Sequence, residues 1–191
     1  MATHNHEVLK MKAIEWLYLN AECQYISTEV KIGKYIFDVI GTDGSRVFII
    51  EAKQDIKDYT RELNNPDDIK TKIQLLKEQF KIDCDKEKYI KQLKKTRDKS
   101  TKLLDESLLK LSTYRYIIAP DNMISEDKLP SNWGLLNEEP RMIKKSNGQK
   151  ISPKIAEKII RIICEKNTRL YLENNGVEFG KQIEFPKLEL I

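Results

Sequence analysis

Residues 35–55 constrain this chain more than any other stretch: Tyr-Ile-Phe-Asp-Val-Ile-Gly-Thr-Asp-Gly-Ser-Arg-Val-Phe-Ile-Ile-Glu-Ala-Lys-Gln-Asp. Two runs of β-branched and aromatic residues flank Asp43-Gly44, a dipeptide suited to the positive φ angles of a tight turn, so the stretch reads as an antiparallel hairpin. A turn centred on Asp43-Gly44 pairs Val39 with Phe48 and Asp38 with Ile49, whether its loop has two residues or four. Side chains alternate with a period of two, so Asp38, Ile49, Glu51 and Lys53 project from one face. In this register Glu51 is the diagonal neighbour of Asp38, about 7–8 Å away between backbones. Lys53 stands next in the row.

Two carboxylates without histidine or cysteine make a hard, all-oxygen site suited to Mg²⁺ or Mn²⁺. An ammonium beside them can orient a metal-bound water, and such a set hydrolyses phosphodiesters. The competing reading is a sheet with a solvated polar edge. Against it, Glu51 directly follows the apolar run Val47, Phe48, Ile49 and Ile50, where a lone acid is costly to bury. Asp38 followed after twelve residues by Glu51-Ala52-Lys53 resembles the PD-(D/E)XK nuclease superfamily. The resemblance implies that both acids and the carbonyl of Ala52 hold the metal. Phe37 occupies the motif's proline position, which varies within the superfamily.

The rest of the chain narrows the alternatives. At 191 residues it is long enough for one domain with a real core, and its net charge of +4 is compatible with nucleic acid. Cys23, Cys84 and Cys164 are odd in number and widely spaced, which points away from a disulfide framework or zinc knuckle and toward a reducing cytoplasm. Histidine occurs only at His4 and His6, which sets aside most histidine-based triads and zinc sites. No apolar run reaches membrane-spanning length, no signal-peptide pattern opens the chain, and neither a Walker A loop nor a dinucleotide fingerprint is present.

Residues 6–20 read as a helix with Leu9, Ala13, Trp16 and Leu17 on one stripe and Met11, Ile14 and Tyr18 on another, apolar on two sides and so well buried. Glu7 continues the second stripe; it either looks toward the sheet as an additional ligand or favours the positive end of the helix dipole. Residues 24–32 form a strand that turns back at Gly33-Lys34, placing Ile32 opposite Tyr35 and Glu29 opposite Asp38. Glu29 is then a third carboxylate on the metal face unless a one-residue bulge turns it away.

Beyond the hairpin, Asn65-Pro66 caps a helix running through Phe80. Residues 86–102 then hold eight Lys or Arg against Glu87 and Asp98. This run is either a DNA-tracking arm, with Lys91, Lys94, Lys95 and Arg97 on phosphates, or a solvated segment. Residues 114–119 make a short strand reached by a helical crossover and therefore parallel to the strand of Glu51. Residues 133–136 and 141–145 are further short strands, and Ser152-Pro153 opens a last helix over about 153–174, with Ile155, Ile159, Ile162 and Ile163 inward.

The order of helix, three antiparallel strands, crossover and parallel strand is also that of the restriction-endonuclease-like core, an α/β fold with a mixed sheet, here carrying a basic helical insertion at about 60–102. Phe-Asp-Val-Ile-Gly, Ile-Ile-Glu-Ala-Lys and Tyr-Arg-Tyr-Ile-Ile-Ala-Pro, followed by Lys-Leu-Pro and Trp-Gly-Leu-Leu, are similar to the MmcB-type family linked to DNA repair. The resemblance covers about half of the chain. It implies a Mg²⁺- or Mn²⁺-dependent deoxyribonuclease with Asp38 and Glu51 as ligands and Lys53 at the attacking water. Two other readings stand beside it: a small restriction or homing-type endonuclease acting as a homodimer, and a non-catalytic DNA-binding or assembly module whose insertion docks a protein partner.

Overall fold

In the computed structural model, which describes residues 4–63, 102–103 and 105–177, the chain builds a six-stranded mixed sheet. Tyr25–Ile32 (β1), Tyr35–Thr42 (β2) and Val47–Ala52 (β3) form an antiparallel meander. Tyr114–Ala119 (β4) and Trp133–Asn137 (β5) continue it in parallel, and Met142–Lys144 (β6) ends it antiparallel. Spatial order follows chain order from β1 to β6. Every residue of β3 is buried, as expected for a central strand covered on both faces.

The chain divides into two compact units, Met1–Ile56 with Ser107–Ile191, and Lys57–Glu106. The sheet, α1 (His4–Leu19) and the last helix belong to the first. The second contains most of α2 (Ile56–Leu63). The helix expected through Phe80 and the basic residues Lys91, Lys94, Lys95 and Arg97 lie outside the described residues. Among those described, no helix is long and apolar enough to cross a membrane.

One stripe of α1 makes the core. Leu9, Ala13, Trp16 and Leu17 pack in one cluster with Val39, Phe48, Ile50, Ala52, Tyr116 and Ile118 of the sheet. Trp16 sits between Phe48 and Tyr116, with ring centroids at 6.2 and 5.0 Å. The second apolar stripe is not well buried: Met11 and Tyr18 are 64% and 67% exposed, and only Ile14 packs partly against the core. A helix laid on a sheet covers the arc facing that sheet, and residues farther around stay in water.

The last helix, α3 (Pro153–Asn174), starts at Pro153 as expected, although Ser152 makes no side-chain capping bond. Ala156, Ile159 and Ile163 are its buried residues. Farther along it satisfies the outer edge of β1: Lys166 Nζ donates to the carbonyls of Thr28 (2.5 Å) and Glu29 (2.6 Å), and Asn167 Nδ2 to that of Ile26 (2.9 Å). An open edge of this kind otherwise invites pairing with another chain.

The hairpin of β2 and β3 differs from the sequence expectation by two residues. Val39 pairs with Ile50 and Thr42 with Val47, leaving residues 43–46 as the loop. The cause is the Asp43 carboxylate: Oδ1 accepts the backbone N–H groups of Ser45 (2.9 Å) and Arg46 (2.7 Å), and Oδ2 accepts Arg46 Nε at 2.6 Å. These bonds close a longer loop than the dipeptide alone requires. Because the shift is even, every side chain keeps the face it was assigned.

Candidate functional site

Continuing the register one step past Val39 and Ile50 sets Asp38 directly across from Glu51, rather than diagonal to it. Here the ladder gives way to side chains. The Ala52 N–H donates to Asp38 Oδ2 at 2.8 Å, and the Asp38 N–H faces Glu51 Oε1 at 3.4 Å. Each acid is thus tied to the backbone of the opposite strand. An N–H of a strand lies near the plane of its sheet, so Asp38 Oδ2 sits in the fork between β2 and β3. Glu51 is fully buried, whereas the Asp38 side chain is 17% exposed.

The carbonyl of Ala52 is turned to the same fork. Its orientation follows from the next peptide: the Lys53 N–H donates to the Ile118 carbonyl of β4 at 2.9 Å. No described peptide bond is cis, and across a trans peptide the C=O opposes the N–H, so the Ala52 carbonyl points away from β4 toward β2. Two carboxylates and an uncharged carbonyl therefore meet where β2 and β3 part. Their donor set is all oxygen, which fits a hard divalent cation, and the partial exposure of Asp38 leaves it open to water. Among the described residues no group of three or more His, Cys, Asp or Glu side chains is placed to hold a metal, so a cation here would depend on these two acids. Lys53, two residues beyond Glu51, is buried at 3% exposure.

Glu29 sits opposite Asp38 in the register, but its side chain goes elsewhere. The pairing is continuous from Thr28 with Val39 to Val30 with Phe37, so no residue is inserted. Instead Glu29 itself adopts a φ of 51°, which breaks the bridge at that position. Its carboxylate, 60% exposed, takes Lys10 Nζ at 2.8 Å. The same ammonium holds Glu7 at 2.6 Å, and Glu7 is 56% exposed. Glu7 and Glu29 thus converge on Lys10, while Asp38 and Glu51 converge on the fork.

The fold itself has a counterpart. The SPO1766 protein of unknown function from Silicibacter pomeroyi superposes with a TM-score of 0.61 at 14% identity, over 96% of this chain and 100% of its own. At that identity the likeness is one of fold. No family profile and no curated protein matches the sequence.

One residue of α1 that the sequence motif does not include reaches the site, and a second lies in the neighbouring cluster with Glu7 and Glu29. His6 Nε2 lies 3.6 Å from Asp38 Oδ2, so a histidine near the amino terminus stands beside the first candidate ligand, and its Nδ1 is buried without a hydrogen-bond partner. Lys10 is only 3% exposed. Burial opposes its charge, but the hydrogen bonds to Glu29 and Glu7 outweigh that and raise its pKa. The hydrogen bond from Lys10 in turn lowers the pKa of Glu29. The signal for both is helical spacing: His6 and Lys10 continue the row of the buried Ala13 and Leu17 toward the amino terminus.

Proposed function

We propose that this chain is a metal-dependent nuclease of the PD-(D/E)XK type, hydrolysing DNA phosphodiester bonds. The observation that carries the reading is the fork itself: Asp38 and Glu51 face one another across β2 and β3, with the Ala52 backbone bonded to Asp38. The succession of α1, meander and parallel β4 supports it as the arrangement expected of a restriction-endonuclease-like core.

In this reading Asp38, Glu51 and the Ala52 carbonyl hold Mg²⁺ or Mn²⁺. When bound, such a cation stabilises charge on the phosphoryl oxygens and acidifies water. Asp38 is positioned by the Ala52 N–H, which leaves its other oxygen available. Glu51 is held rigidly by its complete burial. Lys53 orients the attacking water by donating to its oxygen. Water adds to phosphorus, one P–O ester bond breaks, and the products are a phosphate monoester and a hydroxyl. The basic run containing Lys91, Lys94, Lys95 and Arg97 supplies backbone contacts along the DNA.

The test is cleavage of single-stranded, duplex, branched and nicked DNA with Mn²⁺ or Mg²⁺, comparing wild type with Glu51→Gln and Lys53→Ala. Both variants are expected to lose at least about 100-fold in single-turnover rate, while Lys53→Ala keeps DNA affinity within about twofold because one ammonium contributes little to the total. Cleavage at wild-type rate by either variant would take that residue out of the reaction.

A further inference from the structure

Arg115 is a buried cation for which the proposed reaction has given no role. It is 4% exposed on β4, with Ile49 beside it on β3 and Trp133 on β5. Its guanidinium carbon lies 5.5 Å from the Trp133 ring centroid, and its backbone N–H is held by Ser146 Oγ at 3.1 Å. Among the described residues the guanidinium makes no ion pair and donates no hydrogen bond. Burial alone pushes its pKa down to about 10.

Such an arrangement is costly as it stands. A guanidinium carries five N–H donors in a planar fork, and an aromatic ring engages one face of that plane without accepting from its edges. A buried charge normally has both an opposite charge and hydrogen bonds. The fork matches the oxygens of phosphate two at a time. Position points to the same chemistry. Strand alternation puts Ile49 and Glu51 on one face of β3, and Arg115 shares the face of Ile49, its register partner. Strand spacing and rise place the Arg115 and Glu51 backbones about 8 Å apart.

We propose that Arg115 binds a phosphate oxyanion, and that during the reaction this is a backbone phosphate of the DNA held beside Glu51. The oxyanion rests on Arg115 itself, whereas assigning it to DNA rests on the nuclease reading. Arg115 acts here as a substrate-positioning residue.

Inorganic phosphate is the first probe, added against chloride at matched ionic strength while thermal unfolding is followed for wild type, Arg115→Met and Arg115→Lys. Phosphate should raise the wild-type Tm, raise that of Arg115→Met not at all, and give Arg115→Lys a smaller shift. Without phosphate, Arg115→Met should be at least as stable as wild type, because methionine removes the unpaired charge while filling a similar volume. The second probe is a short DNA duplex in Ca²⁺, for which Arg115→Met should bind about tenfold more weakly. An equal phosphate shift in wild type and Arg115→Met, or none in wild type, overturns the proposal. If the shift depends on Arg115 but DNA affinity does not, free phosphate is the ligand and the DNA assignment falls. Loss of cleavage in Glu51→Gln with no Arg115-dependent phosphate effect would sink Arg115 alone; absent wild-type cleavage with that effect intact would sink the nuclease alone.

Discussion

Asp43 and Asp38 show how much a single carboxylate can decide in a hairpin. Asp38 takes the Ala52 N–H where the main-chain ladder ends, and Asp43 gathers Ser45 and Arg46 where the loop begins. For Asp43 the consequence is thermodynamic. Partial burial works against its charge, but the hydrogen bonds from Arg46 and Ser45 outweigh it and hold its pKa at about 2. An unfolded aspartate titrates near 3.9, so the folded state favours the ionised form. A depressed pKa stabilises the fold above the unfolded value and loses that stabilisation as pH falls through the folded one. Asp43→Ala should therefore be less stable than wild type by about 1–2 kcal/mol at pH 7, with the gap narrowing as pH falls from about 4 to about 2. Urea unfolding across that range measures it. A gap that does not change with pH would show that the carboxylate acts through shape and not through charge.

At the scale of elements, what could be read from sequence depended on how local the deciding interaction was. The strands were legible because β-branched runs and Asp43-Gly44 act over a few residues, and β2, β3 and β4 lie where those runs predict. The two-residue register shift was not legible, since it depends on Asp43 bonding Arg46 and not on the turn dipeptide. The pairing of faces survived because the shift was even. On α1 the buried stripe was legible, but Lys10 was not: a lysine reads as solvent-facing until Glu7 and Glu29 are known to meet it. The junction of β5 and β6 was also hidden in sequence. A Cβ on Gly134 would stand 2.6 Å from both the Lys144 carbonyl oxygen and the Ser146 nitrogen, and 2.5 Å from Tyr116 Cε1. Two of these neighbours are backbone and cannot rotate away. Gly134→Ala should thus cost about 1–3 kcal/mol and loosen Ser146 from the Arg115 N–H that it holds. Thermal unfolding tests the cost, and amide exchange at Arg115 tests the loosening. An unchanged Tm with unchanged exchange would mean that β6 can move aside freely.

For the whole molecule the question is where the attraction to a polyanion would come from. The chain carries a net charge of +4, yet residues 86–102 alone hold an excess of six positive charges, so all other residues together sum to −2. A fork built from Asp38 and Glu51 adds local negative potential, which opposes the approach of phosphate. If the chain binds DNA as proposed, the attraction would draw mainly on the basic run. Replacing Lys91, Lys94, Lys95 and Arg97 with glutamine should weaken affinity alike for every DNA sequence and flatten its dependence on salt. For each phosphate that is no longer neutralised, the slope of log affinity against log salt falls by about 0.9 on duplex DNA. The titration is run in Ca²⁺ or without metal, so that cleavage does not interfere. A flattened slope with a proportionate fall in cleavage at low substrate concentration places the run on DNA. Parallel salt lines for wild type and the quadruple variant would instead assign this run to a protein partner, because a docking surface can be destroyed without changing how many DNA counterions are released.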